Sequence, residues 1–99
     1  MGSNLTKTEI IDRLKENRDM LTKHKIKQIG LFGSYAKGKQ KRESDIDILV
    51  EFSEAIDFFE FLEIEEYLTD ISGNKVDLVM KPVLKPEIGK QILSEVIYA

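Results

Sequence analysis

The sequence predicts an α+β fold, an α/β sandwich in which helices pack against a small mixed β-sheet in the order α-β-β-α-β-α. Segments with apolar residues at helical spacing alternate with short segments rich in β-branched residues. The chain has 99 residues, of which 41% are hydrophobic and 33% charged. This length and composition suit an ordinary globular protein with one core. We therefore expect a single domain over residues 1–99.

The first half of the chain predicts one helix and two strands. Thr6 and Glu9 have the spacing of a capping box ahead of an apolar repeat, which predicts a helix from about residue 6 to 23. Residues 26–32 predict a strand that stops at Gly33. Residues 45–52 predict a second strand because they are rich in β-branched residues.

The second half predicts a helix, a strand and a final helix. Asp57 and Glu60 offer a helix start, and Gly73 suits the C-terminal cap of the same helix. Residues 75–80 predict the third strand. Pro86 suits the first turn of the last helix, whose apolar residues are Ile88, Ile92, Leu93, Val96 and Ile97.

Composition excludes several classes of function. Without cysteine, the chain has no disulfide, thiolate-bound zinc or cysteine nucleophile. Neither a signal peptide nor a membrane span is apparent, so the expected location is the cytoplasm, away from membranes. The net charge of −3 disfavours stable nucleic-acid binding. Whether Met1, Gly2 and Ser3 are native or a cloning remnant stays open.

Charge is unevenly distributed along the chain. Residues 23–42 are rich in lysine, whereas residues 51–70 are almost wholly acidic. A basic segment close to aspartates suggests an anionic ligand. The alternative is a solvated surface of mixed charge.

Two aspartates open the second predicted strand. Residues i and i+2 of a strand point to the same face, so Asp45 and Asp47 are expected side by side, with Ile46 and Ile48 on the opposite face. Such carboxylates repel each other unless a cation joins them. Asp77 occupies a similar place in the third strand. If the two strands are neighbours, three carboxylates could hold two Mg²⁺ ions and support an in-line phosphoryl displacement.

Gly33 and Ser34 predict a site for phosphate groups. A glycine directly after a strand lets the backbone turn tightly and approach a ligand. If residues 34–38 open as a helical turn, its N–H groups and the Ser34 hydroxyl could hold phosphate oxygens. Lys37 and Arg42 would then neutralise the phosphate tail. A lone Gly-Ser or Ser-Asp pair is usually structural, but the combination with Asp77 favours a functional site.

The segments GSYAKG and SDIDILVEF resemble the signature of the DNA polymerase β type nucleotidyltransferases. That signature is Gly-Ser, about ten residues, then Asp-x-Asp, with a third carboxylate on a later strand. In this chain ten residues separate Ser34 from Asp45. The length and the ending KPEIGKQILSEVIYA look most like the minimal nucleotidyltransferases (MNT domains), which pair with HEPN-domain toxins.

The resemblance implies a role for each matching residue. Asp45, Asp47 and Asp77 would be the catalytic metal ligands, and Asp77 would also help to activate the acceptor hydroxyl. Nucleotide binding would involve Gly33, Ser34, Lys37, Arg42 and Ser44. Relatives commonly have arginine where this chain has Lys37, which keeps the charge and loses two-pronged hydrogen bonding.

The resemblance also implies a function. The chain would use Mg²⁺, with two ions expected, to move AMP from ATP to a hydroxyl of a HEPN toxin, with tyrosine the expected acceptor. It would act as the antitoxin of a type VII-like toxin–antitoxin pair and form a hetero-oligomer. The alternative is a non-catalytic antitoxin that neutralises the toxin by occlusion. Transfer to an RNA end or to a small molecule is disfavoured, because the chain has no room for an acceptor domain.

The remaining aromatic and histidine residues suggest structural roles. His24, the only histidine, is expected to be a solvated residue at the end of the first helix. The cluster of Phe58, Phe59, Phe61 and Tyr67 suggests core. Phe58 and Phe59 cannot both face one core, so one could meet a partner or a nucleotide base.

Overall fold

The computed structural model describes residues 5–41, 43–81 and 86–99. The helices are α1 (Lys7–Glu16), α2 (Arg18–Lys23), α3 (Gly33–Lys37), α4 (Phe58–Ser72) and α5 (Pro86–Glu95), and the strands are β1 (Ile26–Phe32), β2 (Ile46–Phe52), β3 (Val76–Met80) and β4 (Ile97–Tyr98). None of the helices described is long and apolar enough to cross a membrane.

The N-terminal helical segment begins as predicted but is interrupted at Asn17. The Thr6 hydroxyl accepts the N–H of Glu9, and the Glu9 carboxylate accepts the N–H of Thr6, each at 3.2 Å. The prediction of one helix over residues 6–23 is wrong, because Asn17 separates α1 from α2. The Asn17 amide donates to the carbonyl of Arg13 at 2.7 Å and accepts the Tyr67 hydroxyl at 2.5 Å. Such local bonds compete with the helical pattern.

The predicted limits of the long helix α4 are confirmed. The Asp57 carboxylate accepts the N–H of Glu60 at 2.8 Å and so caps the first turn. Gly73 ends the helix in the left-handed conformation, with a φ of 78°. The helix therefore runs along the sheet for 15 residues, from beyond the end of β2 to the start of β3.

The sheet has the strand order β3-β2-β1-β4. Strand β1 is antiparallel to β2 and β4, whereas β2 and β3 are parallel. The small mixed sheet predicted from the sequence is therefore confirmed. Alternate residues of β2 and β3 are buried against α1 and α4, and the core includes Ile10, Leu14, Leu31, Ile46, Ile48, Val50, Ile64, Leu68, Val76 and Leu78.

Three boundaries differ from the prediction. Strand β2 begins at Ile46 and not at Asp45, and β3 begins at Val76 and not at Lys75. Ile97, expected on the apolar face of the last helix, lies in a strand because α5 ends at Glu95. The partners of β4 lie in β1 of the same chain, with Ile97 opposite Leu31.

Strand β3 forms one edge of the sheet, and α4 covers that edge with polar side chains. The N–H of Val76 donates to the Thr69 hydroxyl at 3.1 Å, and the N–H of Leu78 donates to the Glu65 carboxylate at 3.2 Å. Thr69 in turn donates to the carbonyl of Glu65 at 2.9 Å. These bonds satisfy the outward N–H groups of Val76 and Leu78.

Candidate functional site

Two of the predicted carboxylates are direct neighbours across the sheet. Asp47 of β2 lies opposite Asp77 of β3, between the buried pairs Ile46–Val76 and Ile48–Leu78. Because successive side chains alternate between faces, Asp47 and Asp77 lie on the face of the sheet away from the α1–α4 core. Phe32, the last residue of β1, is the other neighbour of Asp47. The expectation that the two strands adjoin is confirmed.

Asp45 approaches the same place from just outside the sheet. It immediately precedes β2 and is exposed, whereas Asp47 is half-buried and Asp77 exposed. Among the described residues, none of these three carboxylates has a hydrogen bond or an ion pair to a protein group. In the part of the chain that the structure describes, the site thus presents carboxylate oxygens with no paired protein cation to balance their charge.

The pKa of Asp47 is raised above the usual aspartate value. The largest cause is its burial, followed by the negative charges of Asp77 and then Asp45. The shift shows that the three carboxylates are close enough to act on one another electrostatically. The ionised form of Asp47 is therefore electrostatically unfavourable until a positive charge joins the three carboxylates.

Gly33 lies directly against the Asp47 carboxylate. Its φ is 75°, and a Cβ atom placed on it would lie 3.0 Å from Cγ and 3.2 Å from Cβ of Asp47, and nearer still to Oδ2. The position therefore requires glycine for its backbone conformation and for space. Ser34 follows in the first turn of α3 and is half-buried. The helical turn expected after Gly33 is confirmed, and it adjoins the aspartates.

A hydrogen bond that the sequence did not reveal ties α3 to the approach of β3. Tyr35 is fully buried, and its hydroxyl accepts the Asn74 side-chain amide at 2.7 Å. The bond joins the segment carrying Gly33 to the loop that leads to Asp77. Aromatic residues after Gly-Ser usually suggest only core, so no local signal identified this pairing.

Lys37 and Ser44, which the sequence predicts to bind the nucleotide, both contact other groups of the protein. The Lys37 ammonium pairs with Glu95 of α5 at 3.3 Å, so a nucleotide phosphate would have to compete with that carboxylate. The Ser44 hydroxyl accepts the N–H of Lys41 at 2.8 Å and holds the turn before Asp45. Arg42 lies outside the described residues.

The donor atoms fit a hard divalent cation. Mg²⁺ takes oxygen ligands and is commonly held by one or two carboxylates together with substrate phosphates and water. Within the described parts of the chain, no group of three or more histidine or acidic side chains is gathered closely enough to hold a metal ion by itself. Asp47 and its neighbouring carboxylates Asp45 and Asp77 would supply the protein ligands of such a site.

The aromatic residues at the start of α4 lie away from this site. Phe58 and Phe59 are both exposed, so the expectation that the aromatic cluster is core is wrong for both, whereas only one was expected to leave the core. They form the first two positions of α4, near the far ends of β2 and β3, so neither can stack on a base held beside Asp47. His24 caps α2 as expected, but it is half-buried, with Nδ1 3.8 Å from Glu60.

Comparison with known proteins shows a match over nearly the whole chain. The family described as polymerase beta, nucleotidyltransferase matches residues 9–99. The protein adenylyltransferase MntA of Thermococcus cleftensis is 46% identical over 93 residues, covering 86% of this chain and 94% of that protein.

The chain is also similar to several solved structures. A structure assigned to the minimal nucleotidyltransferases has a TM-score of 0.82 and 28% identity, covering 97% of this chain and 98% of that one. A toxin–antitoxin crystal structure with AMP-PNP has a TM-score of 0.68 and 31% identity, with coverage of 95% and 72%. The MNT antitoxin complex with the tri-AMPylated HEPN toxin of Shewanella oneidensis has a TM-score of 0.58 and 26% identity, with coverage of 93% and 66%.

Proposed function

The chain belongs to the polymerase β type nucleotidyltransferase family, and we propose that it is a Mg²⁺-dependent protein adenylyltransferase that acts on a HEPN toxin. The observation that carries this proposal is the alignment of Asp47 and Asp77 in adjacent strands, with Gly33 against Asp47. An adenylyltransferase among the relatives and an AMPylated HEPN toxin among the similar complexes support it.

The reaction forms one bond and breaks another at the α-phosphorus of ATP. A toxin hydroxyl oxygen, with tyrosine the expected side chain, attacks the α-phosphorus, and the bond to the oxygen that bridges to the β-phosphate breaks. AMP is then joined to the toxin and pyrophosphate leaves. Asp77 is exposed, so an acceptor hydroxyl can reach its carboxylate and give up its proton there.

The chain would hold ATP by its phosphates. The N–H groups that open α3 and the hydroxyl of Ser34 would bind phosphate oxygens. Lys37 would contribute positive charge once its ion pair with Glu95 is broken. Arg42 and Ser44 would extend the phosphate contacts along the basic loop. The absence of a side chain at Gly33 would let the phosphates approach Asp47 closely.

Asp45, Asp47 and Asp77 would hold Mg²⁺, with two ions expected when ATP is bound. Bound there, the metal would offset the carboxylate charge and stabilise negative charge on the transferring phosphate. The raised pKa of Asp47 supports this assignment, because burying a carboxylate beside two others favours a cation as the missing partner.

The biological role that follows is that of an antitoxin in a type VII-like pair. Modification of a toxin hydroxyl would inactivate the toxin, and the two chains would form a hetero-oligomer in the cytoplasm. A non-catalytic antitoxin that acts by occlusion is the second candidate.

Transfer of label from ATP distinguishes these two functions. The protein, Mg²⁺ and the HEPN protein encoded beside it would be incubated with ATP labelled in the α-phosphate or in the γ-phosphate. We expect label on the toxin from the α-position alone, with none from Asp47→Asn and full labelling from Asp70→Asn, an exposed aspartate on α4. Toxin neutralised without label, by wild type and Asp47→Asn alike, would establish occlusion.

A further inference from the structure

The start of α4 presents a surface of large apolar side chains to solvent. Phe58 is 68% exposed, Phe59 78% and Leu62 41%. The two phenylalanine rings meet edge to face, with centroids 6.3 Å apart. Leu62 is one helical turn from both rings. We call these three residues the α4 apolar patch. Adjacent exposed aromatic residues are typical of protein-binding surfaces and costly without a partner.

An open groove adjoins the patch. Ile56, Phe58, Phe61 and Met80 line it, with Asp57 at its rim, and its volume is about 320 Å³. A second groove continues past Ile56 and Met80 to Phe52 and Ala55. Together they offer apolar recesses beside protruding rings, the arrangement in which interface anchors are commonly buried.

Carboxylates surround the α4 apolar patch. Asp57 lines the first groove and Glu54 the second. Glu63 and Glu66 are exposed one turn further along α4, four residues after Phe59 and Leu62 respectively. The nearby ammonium of Lys25 is already paired with Glu54 at 3.4 Å and with Glu60 at 3.5 Å. Among the described residues, the rim of the patch therefore carries a net negative charge.

We propose that the α4 apolar patch docks the protein that this chain modifies, through an apolar surface on that protein ringed by lysine and arginine. The inference depends on the proposed function for the identity of the partner. Charge complementarity selects the chemistry: a second copy of this chain would bring carboxylates against carboxylates, which is unfavourable. A basic partner would meet complementary charge around an apolar centre.

The patch and the aspartates lie at opposite ends of the sheet. Asp47 and Phe52 are separated by five steps along β2, or roughly 17 Å at about 3.3 Å per residue. Docking at the patch therefore leaves the nucleotide site open. The partner must span this distance with its acceptor hydroxyl, so the patch contributes affinity and the aspartates contribute chemistry. Holding the acceptor near the site raises its effective concentration.

Binding measurements with matched variants test the proposal. Binding of the purified HEPN protein encoded beside this chain would be measured by calorimetry for wild type, Leu62→Ser and Phe58→Ser/Phe59→Ser. Leu93→Ser is the control, since Leu93 is 39% exposed on α5 and Leu62 is 41% exposed. We expect affinity to fall at least tenfold for the patch variants and to stay within twofold for Leu93→Ser. Thermal stabilisation by ATP with Mg²⁺ should be the same in all four proteins.

A charge variant separates docking from loss of folding. Glu63→Lys/Glu66→Lys leaves the apolar side chains in place, and it should weaken binding at low salt and make binding less sensitive to salt. Unchanged binding by the serine and lysine variants, with transfer intact, would overturn the docking surface and leave the proposed function standing. A wild type that is dimeric by light scattering and becomes monomeric in Phe58→Ser/Phe59→Ser would also overturn it. A wild type that neither binds nor labels the HEPN protein would refute both proposals.

Discussion

Replacing Gly33 by alanine should impair both stability and transfer, because two constraints meet at this residue. Its φ of 75° lies in the left-handed region, which costs a residue with a Cβ atom about 1–2 kcal/mol. The added Cβ would also lie 3.0 Å from Cγ of Asp47, whereas carbon atoms normally stay about 3.5–4.0 Å apart.

The expected loss of stability follows from the sum of these two costs. Turning Asp47 away from its preferred rotamer to relieve the contact costs about 1 kcal/mol. Gly33→Ala should therefore lower the free energy of unfolding by about 2–3 kcal/mol. For a domain of this size that corresponds to a fall in Tm of roughly 10–20 °C. Displacement of the Asp47 carboxylate by about 1 Å should reduce transfer of AMP about 100-fold.

Two other glycines provide matched controls. Gly73 has a φ of 78° and Gly38 a φ of 70°, and a Cβ on either would meet nothing within 4 Å. Gly73→Ala and Gly38→Ala should thus lower the free energy of unfolding only by the backbone cost of about 1–2 kcal/mol. Because a Cβ on Gly73 would contact no neighbouring atom, Gly73→Ala should also transfer AMP at the wild-type rate.

The comparison requires stability and activity on the same proteins. Urea unfolding would give the free energies, and label transfer from ATP at a temperature where all variants are folded would give the rates. The reasoning is refuted if Gly33→Ala matches Gly73→Ala in both measurements. Equal stability with reduced transfer would instead place the cost of the contact in the site alone.

Three further changes give separate expectations. Because the pKa of Asp47 is raised in the folded protein, its ionisation opposes folding. The free energy of unfolding of the metal-free wild type should therefore fall relative to that of Asp47→Asn as the pH rises above the ordinary aspartate range, and the difference should level off above the raised pKa. Urea unfolding measured across pH would contradict this if the difference between the two proteins stayed constant. Glu95→Gln should lower the KM for ATP and Lys37→Ala should raise it, since Glu95 would compete with phosphate for the Lys37 ammonium. Changes of KM in the opposite directions in steady-state kinetics would exclude this competition. Tyr35→Phe should cost about 1 kcal/mol of stability by leaving the Asn74 amide without this acceptor, and an unchanged urea midpoint would show that the bond contributes nothing.

Much of the site was predictable because its geometry follows from strand alternation and turn chemistry. An aspartate two residues after another at a strand start, and a third in a separate apolar strand, needed only the pairing of β2 with β3 to meet. The caps at Asp57 and Gly73 fixed α4, and α4 sets the connection that makes those strands parallel. Glycine after a strand correctly marked the turn beside Asp47.

The features that escaped prediction depend on contacts between distant segments. The break at Asn17 is held by Tyr67, 50 residues away, and no local pattern shows that partner. Strand β4 has only two residues, too few for any alternation to be recognised. The pairing of Lys37 with Glu95 joins α3 to α5, so sequence alone left the lysine available to phosphate. The exposure of Phe58 and Phe59 together was not predicted, because aromatic residues are more often buried and only one of the two was expected to leave the core.

Because α4 covers the edge of β3, a strand of another chain cannot readily pair with β3. The N–H groups of Val76 and Leu78 are already taken by Thr69 and Glu65 of α4, so β3 cannot accept a further strand without unmaking those bonds. The same bonds hold the register of β3. A slip by one residue would turn Leu78 toward Asp47 and send Asp77 into the core. Addition of a strand at this edge, with its risk of aggregation and of displacing Asp77, is therefore disfavoured.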